Sequence, residues 1–286
     1  MSPLSFRFGT VGSPKSTPAR PGGSVGAILR MHELGLSALE LGWVQSVRVS
    51  EKTCQEIRAA GQENGVAISV HAPYFINLNA DDQEWPKSRK RLMDSAYYGY
   101  LAGATDIIFH PGSYFEREPA LVLTKAIPRL AGCVEELQAG DVNVTLRPEV
   151  MGKQAMLGSL QDVLSMSREL PGVLPGLDFA HLHARAGDGS MNTYEEWMQA
   201  LESYGAALGG DALKHLHIHL SGIAYGPKGE KEHLPMDESD LDLQAILRTL
   251  KALGCAGRIL NESPNLEEDA LKYQYDWIEL SGESPD

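Results

Sequence analysis

The chain has few cysteines, no long apolar run and no surplus of positive charge, and each shortage closes off a class of protein. Cys54, Cys133 and Cys255 are the only cysteines in 286 residues, widely separated and outside any Cys-x-x-Cys pair. That argues against a disulfide framework and against a thiolate zinc site, so any metal here is expected to have nitrogen and oxygen ligands. No apolar stretch approaches the ~18 to 20 residues that cross a bilayer, and Met1 to Thr10 lacks the basic-then-apolar layout of a signal peptide. A soluble chain with no membrane partner is expected, with the cytoplasm as its compartment. Lys and Arg number 25 against 38 Asp and Glu, a net charge of −13. Phosphate contacts need clustered Lys and Arg, so indiscriminate nucleic-acid binding is disfavoured, although a local basic groove is compatible with this balance. Carboxylates that hold divalent cations also inflate the formal negative count. There is no Gly-x-x-x-x-Gly-Lys phosphate loop and no Gly-x-Gly-x-x-Gly after a strand, so no nucleotide cofactor is expected. Gly22-Gly23, after Pro-Ala-Arg-Pro, reads as a first βα loop. A Gly-x-Ser-x-Gly elbow is missing too. Chemistry by activated water is the reading that remains.

Histidine is the residue the chain concentrates. Four of its nine histidines lie between Lys214 and His233. His215, His217 and His219 alternate with Leu216, Ile218 and Leu220, and a period of two in a strand sends all three imidazoles to one face. Such a strand suits a barrel wall, with helices on the greasy side and an interior site on the other. The 43% hydrophobic content is ample for the core of one large α/β barrel or two modest domains.

Eight times a short β-rich segment precedes a longer one with helical periodicity, and no linker divides them. Strands are expected at Ser5 to Thr10, Ala38 to Trp43, Ala67 to Ala72, Asp106 to His110, Asn143 to Glu149, Gly176 to His181, His215 to Leu220 and Arg258 to Glu262. Helices are expected at Val25 to Leu34, Glu51 to Glu63, Ser88 to Ala102, Ala120 to Gln138, Leu160 to Arg168, Thr193 to Leu208, Leu241 to Leu253 and Glu267 to Leu280. Ser50, Asp240 and Asn265 supply start signals, and Gly35, Gly65, Gly103 and Gly254 mark exits. The alternation favours a single-domain (β/α)8 TIM barrel over residues 1–286, with its chemistry at the C-terminal ends of the strands. Six successive strands finish on a metal-capable residue: His71, His110, Glu149, Asp178 to His181, His217 to His219, and Glu262. A capping carboxylate or hydrogen-bonded histidine explains any one of these; a barrel brings all six ends within reach of one another.

These residues resemble the endonuclease IV family, the metal-dependent apurinic/apyrimidinic endonucleases of the xylose isomerase-like barrel superfamily. The likeness spans nearly the whole chain. His71-Ala-Pro-Tyr74-Phe-Ile-Asn-Leu78 is similar to the family's His-x-x-Tyr-x-Ile-Asn-Leu, and Asp178-Phe-Ala-His181 to its Asp-x-x-His. His110-Pro-Gly, Glu149 followed by Gly152-Lys-Gln and Leu157-Gly158, and Asn261-Glu262-Ser263 match in order and spacing. The resemblance implies zinc, two or three ions, with manganese as an alternative because such ligand sets accept both. His71 and His110 would hold one ion, and Glu149 would bridge it to a second completed by Asp178, Glu262 and a strand-seven histidine. His181 and His233 would hold a third. Aligning Leu213-Lys214 with the family's strand makes His217 the expected ligand, with His215 structural and His219 either an outer partner or a substitute.

Two stretches depart from the family. Its third-metal motif is Asp-x-His, but Lys231 stands where the aspartate is expected, and an ammonium cannot ligate. His219, Glu230 or Glu232 would have to replace it, or the third site is weak or vacant. The loop Trp43-Val-Gln-Ser-Val-Arg48 is also shorter and less basic than the family's DNA-recognition loop.

The function so implied is hydrolysis of the DNA phosphodiester 5′ to an abasic site by metal-bound hydroxide, leaving a 3′-hydroxyl. Duplex DNA with abasic sites would be the partner, and a monomer is expected. Glu149 would orient the attacking hydroxide, Tyr74 would occupy the stack at the lesion, and Arg48 and Arg147 are candidate substrate contacts. For Arg147 the plainer role is charge partner to the acidic ligands. A single-metal sugar isomerase or epimerase of the same superfamily needs only Glu149, Asp178, His217 and Glu262; His71, His110, His181 and His233 favour the nuclease. A barrel that binds metal but has lost catalysis is the third reading.

Overall fold

The computed structural model describes residues 4–284, so the outermost ends of the expected 1–286 domain lie outside the described residues. Eight parallel strands form one sheet: β1 (Phe6–Val11), β2 (Ala38–Gly42), β3 (Ala67–His71), β4 (Ala104–Phe109), β5 (Thr145–Pro148), β6 (Leu177–Asp178), β7 (Leu216–Leu220) and β10 (Gly257–Asn261). A further pair, β8 (Gly222–Gly226) and β9 (Gly229–Leu234), makes a separate antiparallel hairpin. The sheet runs β5-β4-β3-β2-β1-β10-β7-β6. Parallel bridges Leu146↔Val173 and Glu149↔Gly176 then join β5 to the segment entering β6, which closes the barrel.

Nine helices are found among the described residues: α1 (Gly23–Glu33), α2 (Glu51–Glu63), α3 (Trp85–Leu101), α4 (Pro119–Ala139), α5 (Leu160–Glu169), α6 (Phe179–Arg185), α7 (Tyr194–Leu208), α8 (Leu243–Ala252) and α9 (Glu267–Ser281). The expected TIM barrel is what the chain forms. None of the described helices is long and apolar enough to cross a membrane.

Outward strand faces pack on the helices. Leu216, Ile218 and Leu220 of β7 and Ile68 and Val70 of β3 are buried, as are Leu243, Ile246, Leu247 and Leu250 along one face of α8. Each such side chain contributes about 1.5–3 kcal/mol of transfer free energy. Phe6 and Trp277 lock β1 to α9 edge-to-face at 5.0 Å.

Several local features differ from the sequence expectation: α8 is capped by Asp242 rather than Asp240, and α9 has no side-chain cap from Asn265. The segment from Gly176 to His181 is extended only through Asp178, whose Oδ1 accepts the His181 backbone N–H at 2.7 Å. That cap starts α6 immediately. No strand is expected between Leu220 and Arg258, yet Gly222–Gly226 and Gly229–Leu234 pair as the β8–β9 hairpin. His215 precedes β7 rather than lying deep in it, and its side chain is 63% exposed. Only His217 and His219 therefore share the interior face.

The barrel interior carries charged and polar side chains at both ends. At the N-terminal end of the strands, Arg147 and Arg258 both pair with the buried Asp106. Arg147 also donates to the Pro175 carbonyl at 3.0 Å and the His215 carbonyl at 2.9 Å. This corrects its candidacy as a substrate contact. Two residues move a side chain about 6.6 Å along the strand, and Arg147 is spent on the closed end. Its plainer role holds, but the acid it serves is Asp106 and not a ligand of the metal cluster. Arg147→Ala strands part of a buried charge and two carbonyls and is expected to cost about 3–5 kcal/mol in urea unfolding without changing metal content. A loss below about 1 kcal/mol would contradict this account.

Candidate metal centre

At the other end of the barrel, strand termini and two loops bring carboxylate and imidazole side chains together. The centre is Glu149, which follows β5 and is 1% exposed. Its Oε2 lies 3.4 Å from His71 Nε2 and 3.2 Å from His110 Nε2. Its Oε1 accepts from His219 Nδ1 at 2.8 Å. Glu262, just past β10, stands 3.6 Å from the same His219 nitrogen and 3.7 Å from His233 Nε2. Asp178 Oδ2 is 3.3 Å from His181 Nδ1.

Four groups of side chains could each hold a metal ion, with donor atoms mutually within 4.8 Å: His71, His110 and Glu149; Glu149, Asp178, His219 and Glu262; Asp178, His181 and His233; and Glu40, His217 and His219. The first and second share Glu149, the second and third share Asp178, and the fourth joins the second through His219, so the groups are contiguous.

The donors fit divalent cations. Glu149 Oε2, Asp178 Oδ2 and His181 Nε2 are buried and have no hydrogen-bond partner, a costly condition unless something else binds them. Several imidazoles are also oriented from behind. His71 Nδ1 sits 2.9 Å from the Ala72 carbonyl, and His181 Nδ1 sits 2.8 Å from the Val150 carbonyl. His233 Nδ1 pairs with Ser221 Oγ at 2.7 Å. An Nδ1–H held in this way leaves Nε2 as a lone-pair donor toward the cluster.

Charge points the same way. Burial pushes the Asp178 carboxyl up to about 8, and the nearby Glu262 and Glu149 charges add to this against the pull of His181. Burial favours a neutral His71 ring, but Glu149, Glu40 and Glu262 together raise it to about 9. His181 is likewise raised to about 9, against its burial, by Asp178, Glu149, Glu230 and Glu262. Glu149 is held well below its usual range despite burial, through the His219, His110 and His71 rings around it. So many acids in so small a space hold protons or draw them onto imidazoles; bound cations would release both.

Strand seven is where the sequence expectation needs correction. β7 ends at Leu220, so His219 is the inward residue nearest the mouth and faces Glu149 and Glu262. His217 lies one pleat repeat deeper. Its Nε2–H donates to Glu40 Oε2 at 2.8 Å, an oxygen that also accepts from Ser69 Oγ at 2.8 Å. Burial among these groups lowers His217 to about 4. His219 is therefore the strand-seven member of the cluster, and its Nε2 stands 3.0 Å from Glu40 Oε1. Sequence reasoning missed Glu40. Its only signal was a lone carboxylate between Leu39 and Leu41 on an otherwise apolar strand.

The cluster opens into a cleft of about 290 Å³ whose walls include Tyr74, Met151, Lys153, Met156 and Glu230. Tyr74 is 46% exposed and stacks on His110 at 5.0 Å, 24° from parallel. Arg48 is exposed on the loop between β2 and α2 and is not among the residues lining the cleft. Lys153, also missed from sequence, brings an exposed cation to the rim.

The profile of one family, described as "Xylose isomerase-like TIM barrel", matches residues 28–280. The chain belongs to the xylose isomerase-like TIM barrel family. Among its relatives, an uncharacterized protein of Methanocaldococcus jannaschii is 35% identical over 92% of this chain and 94% of its own. A probable endonuclease 4 of Bacillus subtilis is 26% identical over 78% of this chain and 75% of its own. Two solved members of the barrel class superpose comparably. Endonuclease IV from Thermus thermophilus has TM-score 0.73 at 21% identity, covering 96% of this chain and 99% of that one. A D-tagatose 3-epimerase-like protein has TM-score 0.72 at 18% identity, covering 97% and 98%. At those identities the likeness is one of fold, shared by nuclease and epimerase alike.

Proposed function

We propose that this xylose isomerase-like barrel hydrolyses a phosphodiester in duplex DNA 5′ to an abasic site, leaving a 3′-hydroxyl, with two or three zinc or manganese ions. The observation that carries this reading is the chain of three ligand groups joined through Glu149 and Asp178. A single-ion epimerase centre has no use for His71, His110, His181 and His233 around one bridging carboxylate. The relationship to a probable endonuclease 4 supports the same reading.

Clustered divalent ions supply water of lowered pKa and neutralise charge on the phosphoryl and leaving oxygens. His71, His110 and Glu149 would hold one ion, Glu149, Asp178, His219 and Glu262 a second, and His181 and His233 with Asp178 a third. Glu149, fixed by three imidazoles, orients the attacking water. Tyr74 stands at the mouth, where its ring can take the space of the missing base, and an abasic nucleotide costs less to unstack than a paired one. Burial, with Glu262 and Glu149, pushes its phenol up to about 12, so the ring enters the stack uncharged. Lys153 offers the rim a cation for a flanking phosphate, a useful one in a chain of net charge −13.

The test is a labelled duplex with one tetrahydrofuran site, incubated with metal-replete protein. A single nick 5′ to the site, extendable by a polymerase, is expected; an uncut duplex refutes the proposal. In the same assay Tyr74→Ala is expected to weaken binding by about 5- to 150-fold, corresponding to about 1–3 kcal/mol of stacking, with metal content unchanged.

A further inference from the structure

The residue two places before His233 is Lys231, which cannot bind a cation, yet the hairpin brings a carboxylate to the same spot by another route. In a regular strand Lys231 and His233 would share one face, and Glu230 and Glu232 the other. The β8–β9 register breaks that alternation. Ala224 pairs with Glu232 and Tyr225 with Glu230, which leaves Lys231 as an extra, unpaired residue between them. A bulge of this kind re-aims the side chains on either side of it. Beyond the bulge Glu230 shares the cleft-facing side with His233, while Lys231 is exposed.

The position of Glu230 is built, not incidental. Its Oε2 lies 3.6 Å from His181 Nε2, with its side chain only 16% exposed. That His181 nitrogen is buried and has no hydrogen-bond partner. The Glu230 backbone N–H donates to the Gly152 carbonyl at 3.0 Å. Gly152 has to be a glycine here, because a Cβ would lie 2.7 Å from Glu230 Cβ and 2.9 Å from both Glu230 Oε2 and His181 Cδ2. Gly229 allows the same approach from the hairpin side, with φ 96° and a Cβ position 2.2 Å from the Gly152 carbonyl oxygen. On the far side, Tyr225 donates to Asp240 Oδ2 at 2.7 Å and anchors the hairpin.

We infer that Glu230, delivered by the Lys231 bulge, is a ligand of the cation site formed by His181 and His233. The inference rests on the multi-ion reading above and names the carboxylate that completes one of its sites. Zinc titrated calorimetrically into chelator-stripped, full-length protein tests it. Relative to the parent, Glu230→Ala is expected to weaken one zinc site about 100-fold or more, beyond the ~10 to 100-fold typical of losing an outer partner of a ligand. The remaining zinc binding should be unchanged. Glu230→Gln should give the same selective loss with the packing kept, and Gly152→Ala should reproduce it by displacing Glu230 and His181. Lys231→Ala should titrate like the parent. Parent-like zinc binding by both Glu230 variants would overturn the assignment while leaving the multi-ion reading standing. A parent that binds a single zinc would overturn both.

Discussion

Glu149→Gln is expected to cut turnover on an abasic duplex by about 10³-fold or more, well beyond the ~10 to 100-fold cost of losing an outer partner of a ligand. Glu149 belongs to two ligand groups, and a neutral amide is a poor bridge between two cations. The fold should survive, because Gln matches Glu in shape. Its amide oxygen can still accept from His219 Nδ1, and its NH₂ can face the unprotonated Nε2 of His71 or His110. Circular dichroism, and melting with chelator present in both proteins, should stay near the parent's, and calorimetry should show weakened metal binding. Turnover within about tenfold of the parent would remove Glu149 from the centre of the chemistry.

Stripping divalent cations is expected to have the second-largest effect, on stability. An ion present at about 1,000 times its dissociation constant stabilises the folded state by about 4 kcal/mol, or about 7 °C of melting temperature for a chain of this size. The gap should widen as pH rises. In the stripped protein His71 and His181 are raised to about 9, so their stabilising contribution is complete below pH ~6.5 and is lost as pH climbs through about 9. Asp178, raised to about 8, adds to the decline, because the folded state keeps a proton that the unfolded chain has released. Metal binding runs the other way, since its ligands must be deprotonated. Melting curves with and without chelator at about pH 6.5 and 8.5 check this. A gap that is constant or narrows with pH would mean these imidazoles and carboxylates are not the ligands.

Most of the fold was legible because β-rich and helical segments alternate eight times with clear start and stop residues, and that alternation admits few architectures. The site was legible where candidate ligands sit at strand ends, since a barrel gathers those ends whatever the loops do. His71, His110, Glu149, Asp178, His181 and Glu262 meet as their expected strand positions imply, and His233, placed by the family resemblance alone, joins them from the β8–β9 hairpin. Errors arose where one residue of register decides the outcome. β7 begins at Leu216, so His219 and not His217 reaches the mouth. Arg147 shares a strand face with Glu149 yet faces the opposite end of the barrel. Glu40 carries no motif, and only closure of the barrel brings it beneath His217 and His219. The bulge at Lys231 depends on how β9 pairs with β8, which neither strand's own sequence specifies.

The central claim is that one continuous cluster holds more than one ion, and native mass spectrometry of protein purified without chelator tests it most directly. Two or three zinc or manganese ions per chain are the expected result. A single ion per chain would contradict the account and favour a one-metal sugar isomerase or epimerase on the same barrel.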